Sequence, residues 1–214
     1  MKVIVKSSYP GDYTWIEIEK PAGFKFTFGQ FTTLALPGEK PSYFAIASHP
    51  DEENLGFLIR HGNWLPPVGQ SVELGQVMGN GFAKEALQNQ NLWLITHGSG
   101  ISAFLAILKD VVKHENQYGN VTLFYGVRTF DELPFNQKYF PEQWGKIQRR
   151  FFISQPGSST FPADAQAGRI EMLNQKFIGP APAVLLIGSK DMSAAVRSQL
   201  VENGIPENHF FGNY

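Results

Sequence analysis

The chain has 214 residues, 43% of them hydrophobic, with 18 basic against 19 acidic side chains and a net charge of −1. That is globular composition for one large or two small domains, and it excludes a disordered tail or the basic footprint of a nucleic-acid or anionic-membrane binder. There is no Cys, which excludes disulfides, thiolate nucleophiles, Cys-ligated zinc and iron–sulfur clusters carried on the chain.

The N-terminal Met1-Lys2-Val3-Ile4-Val5-Lys6 turns polar too early for a signal-peptide core, and no apolar run approaches the roughly 18 residues of a membrane span. The expectation is a cytoplasmic chain without a membrane span. Up to about Leu87, short apolar runs alternate with turn residues. The runs are Val3–Val5, Trp15–Ile18, Phe31–Leu36, Tyr43–Ala47, Leu55–Ile59 and Ser71–Leu74. Pro10-Gly11-Asp12, Pro21-Ala22-Gly23, Pro37-Gly38 and Pro66-Pro67 break them. Six short strands without a long helix predict a small antiparallel barrel. Phe24, Phe26, Phe28 and Phe31 read as its core.

After about Gln88 the pattern changes to strand, helix, strand. Leu92–Ile95, Val121–Val127, Phe151–Ile153 and Ala183–Ile187 are unbroken apolar runs, as strands buried on both faces are. Ile101, Phe104, Leu105, Leu108, Val111 and Val112 follow helical spacing, as do Met192, Val196 and Leu200. Gly204 and Pro206 end the last helix. Alternating strands and helices predict a parallel sheet with right-handed crossovers.

Ile95-Thr96-His97-Gly98-Ser99-Gly100-Ile101-Ser102 joins a strand to a helix, and its glycines let backbone N–H groups approach a phosphate at the helix N-terminus. Ala103 stands where the full fingerprint has its third Gly. A second such turn is Ile187-Gly188-Ser189-Lys190-Asp191-Met192. A third strand ends at Arg128, which suits either an adenosine phosphate or a surface salt bridge. His49, His61, His97, His114 and His209 are scattered, so no metal site is expected. His97 reads as a strand-end histidine bonded to backbone. Ser99 and Ser102 lack partners for nucleophilic chemistry. Asp131, Glu132 and Glu202 read as solvated surface.

The order of these features resembles the ferredoxin–NADP reductase-like flavoproteins. Phe28-Gly29-Gln30-Phe31, Tyr43-Phe44-Ala45-Ile46-Ala47-Ser48 and Val77-Met78-Gly79-Asn80-Gly81-Phe82 stand where that family has its barrel landmarks. The Gly98-Ser99-Gly100 turn, Phe124-Tyr125-Gly126-Val127-Arg128 and Gly188 with Met192 follow in the second half. The detail of Lys40–Ser48 and Met78–Phe82 is most similar to a small fruit-protein-like branch. The resemblance implies a six-stranded antiparallel Greek-key barrel over 1–88 that binds flavin, and a Rossmann-like parallel α/β domain over 89–214 that binds NAD(P).

It further implies hydride transfer from NADH or NADPH to FAD, or to FMN in its place, and onward to a separate electron acceptor. The implied flavin contacts are Tyr43, Phe44, Ala45, Ile46 and Ser48; the implied nucleotide contacts are Gly98, Ser99, Gly100, Ile101, Arg128, Gly188 and Met192. Gly100→Val would then weaken nucleotide binding and spare flavin. The last residue, Tyr214, either stacks on the flavin ring, with Gly212 giving it freedom to swing, or is a frayed tail. Departures are specific: Ser42 and Ala45 replace the motif's Arg and hydroxyl, and Ile187 replaces a Cys. Arg60 is the candidate substitute for the missing phosphate contact. A phosphate-binding turn is contracted to Gly62-Asn63-Trp64-Leu65. Ser154-Gln155-Pro156-Gly157 lacks the Ser-Arg of NADPH users, which tilts the balance to NADH, while Arg128 keeps NADPH open. Two alternatives follow from these departures: a flavin reductase that uses free flavin as substrate, or a non-catalytic nucleotide-binding or assembly subunit.

Overall fold

The computed structural model describes residues 1–9, 11–60, 65–133, 144–157 and 162–212. The N-terminal half holds β1 (Val3–Tyr9), β2 (Tyr13–Glu19), β3 (Phe31–Ala35), β4 (Ser42–Ala45), β5 (Asn54–Arg60) and β6 (Glu73–Leu74). All six lie on the predicted runs. They form two three-stranded antiparallel sheets, ordered β1-β2-β5 and β4-β3-β6, instead of one continuous ladder. Between β4 and β5 the chain turns, and the Ala47 and Ser48 amides both reach the Gly56 carbonyl. The two sheets enclose one core that includes Val3, Ile16, Ile18, Leu34, Leu55 and Phe57. Gly56 is there because a Cβ would sit 2.1 Å from the buried Trp15 ring.

A single turn, α1 (Lys84–Leu87), leads into the second half. Its strands are β7 (Leu92–His97), β8 (Val121–Val127), β9 (Gln148–Ile153), β10 (Ala165–Ala167), β11 (Ala183–Ile187) and β12 (Phe210–Phe211). They form one six-stranded sheet ordered β10-β9-β8-β7-β11-β12, with every pairing parallel. Strand β10 was not foreseen, because Ala-Gln-Ala carries no apolar run. The helices are α2 (Leu105–Lys113) and α3 (Lys190–Glu202). The first seven residues after β7, Gly98–Phe104, wind as a tighter 3₁₀ helix that runs into α2, so the predicted helix begins tighter than an α-helix. The Ser102 hydroxyl bonds back to the Ser99 carbonyl at 2.7 Å within it.

Helix α3 is closed at both ends by its own sequence. The Ser189 side chain accepts from the Met192 amide, and at the far end Ile205 N–H reaches Leu200 O while Gly204, at φ +94, reaches Val201 O. That pair is a Schellman motif, which needs the left-handed residue that Gly204 supplies. The α3 face of the sheet buries Trp93, Phe124, Met192, Val196 and Leu200. The opposite face packs α2 and also meets the small sheets, so Tyr13, Trp15, Phe28 and Leu58 share one core with Leu94, Phe104 and Tyr125. Phe82 and Phe104 touch across this boundary, ring centroids 6.3 Å apart. Among the described residues no helix is long and apolar enough to cross a membrane.

Candidate functional site

The parallel register pairs His97 with Gly126 and Thr96 with Ile187, so the turns after β7, β8 and β11 emerge at one edge of the sheet. Ligands bind at this carboxyl edge in open α/β sheets. Gly98, at φ +53, begins the first turn. Gly100 is required by close approach: a Cβ would lie 2.3 Å from Thr96 Oγ1. The two glycines border different cavities, one polar and one apolar.

The polar cleft, about 300 Å³, is bordered by Arg60, His97, Gly98, Arg128, Glu132 and Gln155 among others. Glu132 takes Arg60 Nη2 at 3.2 Å and the Arg128 amide at 3.3 Å, with Arg128 Nε at 3.7 Å. Glu132 is therefore a bridging anion, not the solvated surface charge expected from the sequence. Its backbone packs on Gly11, whose missing Cβ would fall 2.9 Å from Glu132 Cα. Across the cleft Arg169 Nη2 meets Glu171 Oε1 at 2.8 Å, and this contact lowers the Glu171 pKa. His97 Nε2 accepts a long 3.4 Å contact from the Ser189 amide, tying the first turn to the start of α3, and burial lowers its pKa. It is held as a neutral acceptor.

The apolar slot, about 420 Å³, lies between β4 and the start of the 3₁₀ helix. Tyr43, Phe44 and Ala45 form one wall; Gly100, Ser102, Ala103 and Ile187 form the other. Tyr43 is 69% exposed and stands edge-on to Phe31, ring centroids 6.0 Å apart. An exposed ring facing an apolar wall suits a flat aromatic ligand. None of the side chains around this slot is charged. A flavin ring therefore fits, while its phosphates find no cation in the slot.

Several expected residues are not at a cavity wall. Ile46 and Ser48 are buried beneath β4, and Ser48 Oγ has no hydrogen-bond partner. Ile101 and Met192 are buried in the cores on the two faces of the sheet. Tyr43, Phe44 and Ala45 belong to β4 and border the slot, whereas Ile46 follows the end of that strand, where the chain turns toward β5, and lies in the core of the small sheets. Arg60 borders the polar cleft with Gly98, away from Tyr43, and is already paired with Glu132. Gly188 borders a third cavity with Lys190, Arg197 and Phe210, and its missing Cβ makes room for Met192 and the His97 ring. Because Gly100 borders the apolar slot and lies against Thr96, Gly100→Val would disturb that slot as well as the turn. Tyr214, and the Gly62-Asn63-Trp64 portion of the contracted turn, lie outside the described residues.

One constellation escaped sequence reading. Asp110 on α2 is fully buried and receives His49 Nε2 at 3.0 Å, Lys84 Nζ at 2.9 Å, His114 Nδ1 at 3.1 Å and the Tyr118 hydroxyl. Burial pushes its carboxyl pKa up, but hydrogen bonds from Tyr118, Lys84 and His49 outweigh this and hold it at about 2. The Tyr118 phenol is correspondingly raised, by burial first and then by Asp110. Only an i,i+4 Asp–His spacing was visible in the sequence; His49 and Lys84 arrive from the other half of the chain.

No protein-family model matches the chain. The anthranilate 1,2-dioxygenase electron transfer component of Acinetobacter baylyi is 32% identical over 199 residues, covering 87% of this chain and 57% of that protein. A ferredoxin–NADP reductase of Azotobacter vinelandii is 26% identical over 125 residues, covering 53% of this chain and 48% of that protein. The chain thus spans less than two thirds of either relative. A ferredoxin NADP⁺ reductase from Neisseria gonorrhoeae, solved with bound FAD and NADP, superposes with a TM-score of 0.78 at 17% identity, covering 100% of this chain and 97% of that one. At that identity the superposition establishes the two-domain fold.

Proposed function

We propose, for a chain that is a relative of the ferredoxin–NADP reductase-like FAD- and NAD(P)-binding oxidoreductases, that it is an NAD(P)H-dependent flavin oxidoreductase. The observation that carries this reading is that one glycine turn borders two different cavities. Gly98 faces the charged cleft and Gly100 faces the apolar slot. A pyridine nucleotide held by the turn's amides and Arg128 would have its far end directed toward a flavin ring held against Tyr43. When bound there, a flavin supplies the hydride and electron chemistry. The chain's own part is to stack the ring on Tyr43, exclude water with Ala103 and Ile187, and anchor the nucleotide's phosphates. Electrons then leave to a separate acceptor; these 214 residues contain no Cys, and among the described residues no group of side chains could hold a metal ion. On this reading 1–88 is the flavin-binding domain and 89–214 the nucleotide-binding domain. The two small sheets are then halves of a six-stranded Greek-key barrel, which their shared core and the Lys2–Ser71 bridge support.

NADH is favoured over NADPH, since Glu132 and Glu171 line the cleft beside the arginines. A carboxylate accepts from a free ribose hydroxyl and repels a 2′-phosphate. A second reading, flavin as a dissociable substrate, is favoured by the lack of any cation around the slot. The test is the visible spectrum of purified protein with and without added FAD or FMN, followed by anaerobic titration with NADH and NADPH. Bleaching of the flavin band by NADH is expected. A chain that neither carries nor binds flavin refutes the reading, and flavin lost on gel filtration selects the second.

A further inference from the structure

We infer that Tyr125 is a positioning residue for the nucleotide turn, its phenol fixing the direction in which the Ser99 amide points. The inference rests on reading Gly98–Gly100 as the pyridine-nucleotide subsite. Tyr125, on β8, is fully buried and its hydroxyl donates to the Gly98 carbonyl at 2.9 Å. A phenol has one proton to give. With that proton on a carbonyl, the longer 3.4 Å contact to Tyr13 runs the other way, Tyr13 donating to Tyr125. Burial raises the pKa of both phenols, so both remain protonated donors. Tyr13 belongs to β2, and the Arg60 guanidinium lies over its ring, 5.6 Å from the centroid. A line of contacts therefore runs from the small sheets, through two phenols, to the first residue of the turn.

The consequence follows from peptide geometry. In a trans peptide the carbonyl and the next N–H point in opposite directions. Since the Gly98 carbonyl faces Tyr125, the Ser99 N–H faces away from it. Amides in the first turn of a helix have no partner inside that helix, so this one is a donor for an anion. The turn does not select that orientation by itself. Gly98 sits at φ +53, and glycine lets the following peptide rotate at little cost. Without the phenol, rotation would present a carbonyl oxygen where a phosphate has to sit. At its other end the turn is held sterically, by Thr96 against Gly100; at Gly98 the hold is the Tyr125 hydrogen bond.

The test uses the full chain and Tyr125→Phe, which keeps the ring and removes only the hydroxyl. Calorimetric titration with NADH, NADPH and ADP-ribose should show affinity reduced about tenfold for the probes that wild type binds, the size of one lost and one misdirected hydrogen bond. The Ser99 amide resonance should move in the variant before ligand is added and respond less when it is. Tyr13→Phe, which leaves Tyr125 in place and serves if the first variant does not fold, should cost about threefold, a fraction of a buried hydrogen bond. Unchanged affinity in Tyr125→Phe, or in Tyr13→Phe when that is the folded variant, overturns the inference even if thermal stability falls. Wild type that binds none of the three probes removes the subsite itself, a result distinct from a binding wild type matched by its variant.

Discussion

Two polar bridges join the small sheets to the parallel sheet, and they differ in their surroundings. Around Asp110 no water reaches the carboxylate, and four side chains from three segments close on it. At the rim of the polar cleft, Arg60 and Glu132 meet at 3.2 Å with side chains 28% and 15% exposed. A fully buried charge that loses its partner is left with its full desolvation cost, whereas a half-buried one at a cleft rim recovers part of that cost from water. The first bridge therefore holds the halves together, and the second, on the function proposed above, exchanges its partner for a ligand. The lesson is that the same pairing of charges costs more or less to break according to its burial.

The contrast breaks most severely at the buried anion. Asp110→Ala should cost about 2–4 kcal/mol, read from urea unfolding midpoints, because Lys84 and Tyr118 keep their polar groups against a cavity. Acid should do the same reversibly. The Asp110 carboxyl is held at about 2 against an ordinary 3.8, so as pH falls the unfolded chain binds its proton first. Its stabilisation is whole above pH about 4 and lost between about 4 and 2, some 2 kcal/mol in all. Urea midpoints across that window should slope for wild type and lose most of that slope for Asp110→Asn; parallel slopes would remove Asp110 from the account. Tyr118→Phe deletes one donor from the cluster and should cost about 1–2 kcal/mol. Arg60→Ala should be the mildest, within about 1 kcal/mol of wild type in stability. It sharpens the comparison by its other readout: with Glu132 less compensated, NADPH affinity should fall about threefold more than NADH affinity. Equal losses would mean that the rim pair does not face the nucleotide.

Much of the architecture was legible because it depends on local periodicity. The six runs before Leu87 and the four unbroken apolar runs after it all became strands, and the spacing of Met192, Val196 and Leu200 marked the buried face of α3. What was not legible depends on contacts far apart in the chain. Ile46 and Ser48 belong to the same motif as Tyr43, yet the turn after Ala45 sends them beneath the strand. Glu132 looks like an ordinary acidic loop residue until Gly11 and Arg60, from the other half, close around it. The Asp110 cluster draws on positions 49, 84, 110, 114 and 118, and no spacing rule links the first two to the rest. The glycines at 98 and 100 read as one phosphate loop, but their separate duties appear only when the neighbours of each are known.

The core shared by Tyr13, Trp15, Phe28 and Leu58 with Leu94 and Phe104 has a consequence for the chain's birth. A ribosome releases the small sheets first, at about 5–20 residues per second. Their inner core can close early, but the side carrying Trp15 and Leu58 stays wet until β7 and α2 have emerged. The sheet order then imposes a second wait, since β7, the first strand of the parallel sheet in the chain, keeps one edge open for β11, the fifth of its six. A nascent chain thus shows an apolar face and an unpaired strand edge until β11 has emerged, a surface on which a ribosome-bound chaperone can act.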